Sequence, residues 1–330
     1  MKKPTVSIAL CTYNGEDYLS EQLQSFLRQS QLPDELVVCD DCSQDGTAAI
    51  VEEFRSKAPF PVKFHLNEHN LGSTKNFERA IGFCSKDVVF FSDQDDVWDQ
   101  RKIEKIARLF EDPAVGMAFS DATVVDGELN SLGYTMWQHL GFAASDQLRL
   151  KQSIHGVRVL LKRNVVTGAA MAFRTRYRDL ICPIPEVITH DHWIAILIET
   201  FARVAFIDEP LMLYRQHDHN QIGGTSPGLK KRLQATDLRY LENQLIAFAA
   251  IERRIRTHKS FRDCGLACLL LEQKISHLKN RLSILHLDKA SLRQVLTELI
   301  FRRYQRYSEN ATGSFLKDLS VSVRVFRRMR

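Results

Sequence analysis

The chain has 330 residues, with 45 Lys and Arg against 40 Asp and Glu and a net charge of +5. That length accommodates one large domain plus an appendage. No stretch of about 18 uninterrupted apolar residues occurs, so no transmembrane helix is expected, and Met1-Lys2-Lys3-Pro4 leads straight into a strand with no room for a signal peptide. The 7 cysteines are an odd set scattered through expected strands and helices. Cys39 and Cys42 enclose Asp40 and Asp41, a poor redox motif, and Cys264 and Cys268 share a helix face. Reduced thiols in a cytoplasmic protein are the simpler account.

Val6 to Cys11 reads as an apolar strand, followed by a turn at Tyr13-Asn14-Gly15. Leu19, Leu23, Phe26 and Leu27 then fit a helix of period 3.6. A second strand, Leu36 to Cys39, delivers Asp40 and Asp41 into a loop with Gly46 and a helix cap at Thr47. Pro61 to Leu66 gives a third strand, Asn76 to Phe83 a helix, and Asp87 to Ser92 a fourth strand. This alternation predicts a parallel α/β sheet flanked by helices. Ligands of such sheets bind beyond the carboxyl ends of the strands.

The fourth strand runs directly into Asp93, Asp95 and Asp96. Carboxylates this close repel one another, and a divalent cation with hard oxygen ligands removes the repulsion. An acidic turn capping a helix near Asp99 explains this segment alone equally well. The second acidic strand end, at Asp40-Asp41, tips the balance, because both clusters should face one crevice. The pattern predicts a seat for Mg²⁺ or Mn²⁺ and a diphosphate.

The run Val6 to Gly15 resembles the opening of family 2 glycosyltransferases of the GT-A fold, a Rossmann-like architecture. So do Asp40-Asp41-Cys42-Ser43-Gln44-Asp45-Gly46-Thr47 and Asn70-Leu71-Gly72 with Asn76, in the family's order. Asp93-Gln94-Asp95 looks like the family's DxD motif. The longer string Ser92 to Trp98 is similar to a rhamnosyltransferase-like subgroup acting on bacterial surface polysaccharides. The resemblance implies that Asp41, or Asp40, hydrogen-bonds the pyrimidine of a nucleotide-sugar. Thr12, Tyr13 and Asn14 would line the same pocket. Asp95 would hold the metal, Asp93 would contact the ribose or a metal-bound water, and Asp96 could serve in either shell. Lys75 sits where a cation could approach the diphosphate, although a lysine at a helix start is commonly solvated.

Thr189-His190-Asp191-His192-Trp193 precedes an apolar helix, Ile194 to Phe201. The string matches no zinc spacing. The family places its catalytic base in such a string, which makes Asp191 the expected general base. Tyr214 to Asn220 resembles a segment that folds over the donor, with Arg215 steadying the diphosphate, His217 on the metal and His219 at the surface. Val166 to Phe173 reads as tight strand packing, in a region that by the resemblance borders the acceptor; Trp137 and His139 fall in an acceptor-side segment, where Trp137 could equally be core.

The resemblance implies an inverting transfer from a dTDP- or UDP-sugar, with dTDP-rhamnose suggested by the subgroup, to a saccharide or lipid-linked saccharide. A nucleotidyltransferase is the enzymatic alternative, but it would usually carry a basic Gly-rich loop where Thr12 to Asp17 is acidic. A nucleotide-sugar-binding scaffold is the other alternative, and it has no use for Asp191.

The expected domains are 1–224, a GT-A domain, and 225–330, a basic helical extension. From Thr225 onward there are 22 Lys and Arg and 9 Asp and Glu, a net +13, against −8 before it. Leu238 to Ile255, Cys264 to Leu287 and Ser291 to Tyr307 read as helices. No module or aromatic platform for nucleic acid is present. Attraction to an anionic membrane surface, on the inner face of the cytoplasmic membrane, is the leading expectation for this end.

Overall fold

The computed structural model describes residues 3–152, 156–217, 238–258, 264–286 and 292–328. The first part alternates as expected: β1 (Val6–Thr12), α1 (Leu19–Leu27), β2 (Glu35–Asp40), α2 (Thr47–Lys57), β3 (Val62–Leu66), α3 (Ser73–Phe83) and β4 (Val88–Ser92). Then follow β5 (Val97–Trp98), α4 (Lys102–Leu109), β6 (Val115–Val125), β7 (Ser131–Thr135), α5 (Met136–Leu140), α6 (Ala144–Lys151) and α7 (Gly156–Lys162). After these come β8 (Met171–Arg174), α8 (Arg178–Ile181), α9 (His190–Phe201) and β9 (Arg203–Arg215). Five helices close the chain: α10 (Leu238–Thr257), α11 (Gly265–Leu285), α12 (Leu292–Ile300), α13 (Arg303–Tyr307) and α14 (Ala311–Arg328). Two units result, Met1–Ser153 with Val165–Gly224, and Ile154–Asn164 with Thr225–Arg330. Thus Ile154–Asn164, inside the expected first domain, groups with the later unit.

The first unit is built on a nine-stranded sheet in the order β3-β2-β1-β4-β8-β6-β9-β5, with β7 paired to β6. β1, β2 and β4 are buried along their whole lengths. Strands covered on both faces read as continuous apolar runs, which is why these were legible. β3-β2-β1-β4 is parallel throughout. Beyond β4 the sheet is mixed, since β8 is antiparallel to both β4 and β6, whereas β6 and β9 are parallel. The core joins Ile8, Leu10, Leu36, Val38 and Phe90 to Leu19, Leu23 and Phe26 of α1. Parallel pairing aligns Thr12 with Asp40 and Leu10 with Ser92. Both acidic loops therefore leave the same edge of the sheet.

Glu35 anchors the opposite end of β2. Its buried carboxylate accepts from Ser7 Oγ (2.6 Å), Lys63 Nζ (2.8 Å), and Ser85 N and Oγ (2.6 and 2.8 Å). Burial alone would raise its pKa, but these donors outweigh it and hold the group at about 2, against an ordinary 4.5. A depressed carboxylate stabilises the fold fully above pH 4.5 and loses that contribution as pH falls toward 2. The shift corresponds to about 3 kcal/mol. Glu35→Gln is expected to lower the melting temperature at pH 7 and to flatten its acid dependence. Thermal melts from pH 7 to pH 2 test this, and an unchanged acid slope would refute it.

The second unit is helical with a polar interior. Lys274, His277 and Arg281 form one buried stripe of α11. Lys274 Nζ donates to Tyr307 O (2.7 Å) and lies 4.7 Å over the Phe248 ring. His277 links Glu298 (2.5 Å) to Ser308 Oγ (3.0 Å). Arg281 and the Tyr304 hydroxyl share Asp318, at 3.0 and 2.9 Å. Burial pushes Lys274 down to about 7 and His277 to about 4. Some of the basic charge expected at the surface therefore points inward.

Two expectations change in this unit. The helix expected over Ser291–Tyr307 is broken between α12 and α13, where Arg302 is left-handed (φ 52°). Cys264 and Cys268, expected as reduced thiols, form a disulfide one helical turn apart, with Cα atoms 5.9 Å from each other. Among the described residues no helix is long and apolar enough to cross a membrane.

Candidate active site

The first strand ends are tied to one another before they meet any ligand. Asp40 accepts from Thr12 Oγ1 (2.7 Å), Ser43 N (2.8 Å) and Ser43 Oγ (2.6 Å), so its carboxylate is committed to the loop. Asp41 accepts from Asn67 Nδ2 (2.7 Å), Leu71 N (2.7 Å) and Gly72 N (2.8 Å). Asn76 reaches back to Cys39 O (2.8 Å) and also takes a bond from Asn67 (3.0 Å). The Asn70-Leu71-Gly72 motif is thus a backbone wrap around Asp41.

The Tyr13–Gly15 turn is stitched to the Ser43–Thr47 loop in the same way. Asn14 N donates to Ser43 Oγ (2.8 Å), Gln44 N to Asn14 Oδ1 (2.9 Å), and Gly15 N to Thr47 Oγ1 (2.8 Å). Gln94, the middle residue of the DxD, clasps Tyr13 through both its backbone N–H (2.7 Å) and C=O (3.0 Å). A Cβ on Gly15 would collide with the Gln94 amide, so the two loops approach this closely only with glycine there. The Tyr13 side chain remains exposed at the lip.

The carboxylate cluster is assembled by β9. Antiparallel pairing of Val97 with Leu213 and Trp98 with Met212 brings Tyr214, Arg215 and His217 back beside the DxD. His217 Nε2 lies 2.9 Å from Asp95 Oδ2, and its ring packs on Tyr18 with centroids 4.7 Å apart. Asp96 accepts from Arg215 N (3.1 Å) through Oδ1, while its buried Oδ2 has no hydrogen-bond partner. Burial, then the charges of Asp95 and Asp191, push Asp93 up to about 7. Burial, then Asp95 and Asp93, raise Asp96 well above the ordinary carboxylate range. The Tyr214 phenol is raised by burial and then by Asp96, Asp93, Asp95 and Asp191, so all four carboxylates act on it.

Asp191 is carried by α9, and its charge acts on Asp93. The helix begins at His190, four residues before the expected start, and Asp191 sits in its first turn with Oδ1 accepting from His192 N (2.6 Å). His190 packs on Phe77 and Phe91, with centroids 4.5 and 5.4 Å away. A Cβ on Gly168 would stand 2.6 Å from His190 Nε2. Gly168 thus leaves room for His190.

Two expectations are revised by this geometry, and a choice left open for Trp137 is decided. Arg215 was expected at the diphosphate, but it is 2% exposed and its guanidinium is consumed within the protein. It donates to Asp95 O (2.7 Å), Gly127 O and Glu21, and lies 4.5 Å over the Tyr18 ring. Lys75 is engaged by Glu78 (2.9 Å) and Ile184 O (2.7 Å) rather than by the cluster. Trp137 is buried among Phe119, Phe142 and Phe206 as core. His219 lies outside the described residues.

Lys102 was missed. It is fully buried, donates to Ala169 O (2.6 Å) and stands 3.8 Å over the Trp98 ring. Burial lowers its pKa to about 7, while Asp96 and Asp93 act to raise it. When protonated, Lys102 therefore offsets part of the cluster's charge. Its signal was visible: Lys102 lies on the buried stripe of α4 with Ile103, Ile106 and Ala107. A lone lysine on an apolar stripe needs a buried acceptor.

The residues fit a divalent cation. Asp95 Oδ2 and His217 Nε2 are separated as neighbouring ligands of one octahedral ion at about 2.1 Å would be. The unpartnered Asp96 Oδ2 and the raised pKa of Asp93 mark a cluster short of positive charge, which a cation would supply. Among the described residues no group of three His, Cys, Asp or Glu is arranged to hold a metal by itself. Mg²⁺ characteristically takes only one or two carboxylates plus phosphate oxygens.

Solved structures define the class of fold. Staphylococcus aureus TarS 1-349 in complex with UDP-GlcNAc aligns over 98% of this chain and 89% of that one, with a TM-score of 0.58 and 18% identity. The mannosyltransferase PcManGT from Pyrobaculum calidifontis, in complex with GDP-Man and Mn²⁺, aligns over 100% and 89%, with a TM-score of 0.52 and 15% identity. The fold is that of GT-A glycosyltransferases. The model of glycosyl transferase family 2 matches residues 7–178, just over half of the sequence. The chain belongs to glycosyl transferase family 2, and it is a glycosyltransferase. The dTDP-rhamnosyl transferase RfbG of Shigella flexneri is 26% identical over 223 residues, covering 65% of this chain and 73% of that protein. Several other curated relatives are spanned over only 59% to 66% of their length.

Proposed function

We propose that this chain transfers a sugar, with inversion, from a nucleotide-sugar to a saccharide or lipid-linked saccharide in surface polysaccharide synthesis. The pairing of His217 with Asp95 at 2.9 Å, next to a buried Asp96 whose Oδ2 has no hydrogen-bond partner, carries this reading. Asp191, in the first turn of α9, supports the assignment of the base, since its charge is felt by Asp93 of the candidate diphosphate seat. Family membership removes the nucleotidyltransferase alternative. The likeness to a dTDP-rhamnosyl transferase favours dTDP-rhamnose as donor, with UDP-sugars the competing class.

In this mechanism Thr12, Tyr13, Asn14, Asp40 and Asp41 form the nucleotide pocket. Asp40 and Asp41 act by holding their loops, with Asp41 nearest to the base. Asp191 takes the acceptor hydroxyl proton as the oxygen attacks the anomeric carbon opposite the departing diphosphate. The transition state has oxocarbenium character, as in glycoside hydrolysis. Asp95 and His217 would hold Mg²⁺ or Mn²⁺, which when bound offsets charge on the diphosphate. Asp93 faces the ribose or a water on that ion. Residues 225–330 form a basic appendage that draws the 1–224 domain to an anionic membrane where a lipid-linked acceptor resides.

A donor screen by nucleoside diphosphate release tests this, with Mn²⁺, Mg²⁺ or EDTA. Release from one donor, abolished by EDTA and by Asp95→Ala, is expected. Full activity in EDTA would remove the metal from the mechanism. Failure to bind any nucleotide-sugar would remove the donor assignment.

A further inference from the structure

We infer that the corner joining α12 to α13 is an insertion tip for an anionic lipid bilayer. The inference rests on the membrane-surface part of the proposed function and names the residues that would carry it.

α12 is two-faced. Val295 and Glu298 are fully buried, whereas Leu296 and Ile300, one turn apart, are 51% and 74% exposed. Phe301 follows at 56% exposure. The left-handed Arg302 (φ 52°) then ends the helix and turns the chain into α13. Three large apolar side chains are thus exposed over the last turn of α12 and its end, where a monomer in water gains nothing from them.

The charges around the tip are sorted. Of the acids between 292 and 324, Glu298 and Asp318 are fully buried, bound by His277 and Arg303 in one case and by Arg281 and Tyr304 in the other. Glu309 is exposed and accepts from the Tyr240 hydroxyl at 2.9 Å. The cations Arg293, Arg302 and Arg306 face outward. Arg303 bridges the two layers, pairing with Glu298 (2.8 Å) while standing 5.6 Å from the Phe301 ring. Exposed apolar side chains on a segment whose exposed charges are mostly arginines match a bilayer whose anionic headgroups overlie its acyl boundary. A nucleic acid would satisfy the arginines but leave Ile300 and Phe301 in water. A protein partner would require no particular lipid charge.

The test is co-sedimentation of the full chain with vesicles of phosphatidylcholine alone or mixed with phosphatidylglycerol, at low and high salt. Binding only to the anionic vesicles, weakened by salt, is expected. The double substitution Ile300→Ser with Phe301→Ser is expected to weaken it by roughly tenfold or more, and Arg302→Gln with Arg306→Gln by a similar factor. All these positions are exposed or at the surface, so donor turnover in solution is expected to be unchanged, and this also controls for folding. Phe301→Trp is expected to shift its emission to the blue on adding anionic vesicles only. Anionic binding undiminished by either pair of substitutions would overturn the tip and leave the membrane-surface reading standing. No vesicle binding by the unaltered chain would overturn both, while donor turnover in the same samples would leave the glycosyltransferase reading intact. A dimer in light scattering that Ile300→Ser with Phe301→Ser dissolves would assign the patch to a second copy and overturn the proposal.

Discussion

Asp191→Asn is expected to cut sugar transfer by ~10²–10⁴-fold, the usual contribution of a general base. The reason lies in what the substitution keeps. The amide oxygen can still accept from His192 N, as Asp191 Oδ1 does at 2.6 Å, so the first turn of α9 retains its internal bond. Only the capacity to take a proton is lost. Donor binding and the melting temperature should therefore stay near those of the unaltered protein. Single-turnover transfer, donor affinity and a thermal melt on one preparation check this. A loss under about tenfold would exclude Asp191 as the base. A collapse in melting temperature would make it structural. Loss of donor binding alone would place it at the donor's charge instead.

Arg215→Met is expected to destabilise the first unit by about 3 kcal/mol, the low end for breaking a buried charge network because Glu21 is half exposed. The guanidinium reaches in three directions at once, to Asp95 O, Gly127 O and Glu21, and stacks on Tyr18. Lysine has one donor group and no planar face, so Arg215→Lys is expected to recover little. Chemical denaturation of both variants measures this. If Arg215 gripped a diphosphate, its loss would raise the donor KM and leave stability alone. That pattern would overturn the assignment drawn from the buried guanidinium.

The parallel half of the sheet was legible because β1, β2 and β4 are buried on both faces and so are written as unbroken apolar runs. The acidic strand ends were legible because carboxylates grouped at a strand terminus have no ordinary packing role. The mixed half was harder. β9 runs from Arg203 to Arg215 through Asp208, Glu209 and Pro210, an interruption that hides a strand from pattern reading. The break at Arg302 also left no mark, because a left-handed arginine looks like any other helical residue in sequence.

The sequence by itself determined the class of fold, the family and the chemical types at the site. Order along the chain specifies which strands alternate with helices, and grouped aspartates declare a demand for positive charge whatever surrounds them. Only the tertiary structure decided how each group is occupied. Arg215, expected to face a ligand, is turned inward because β5–β9 pairing sets it against the backbone of the DxD turn. Lys102 comes to stand behind that turn because α4 presents its buried stripe to Trp98 and Ala169. Asp40 closes its own loop because β1–β2 register holds Thr12 against it. A hydrogen bond or ion pair depends on which partner arrives within about 3 Å. Residues 81 and 122 positions apart, Gln94 with Tyr13 and Asp95 with His217, meet only when the sheet has formed.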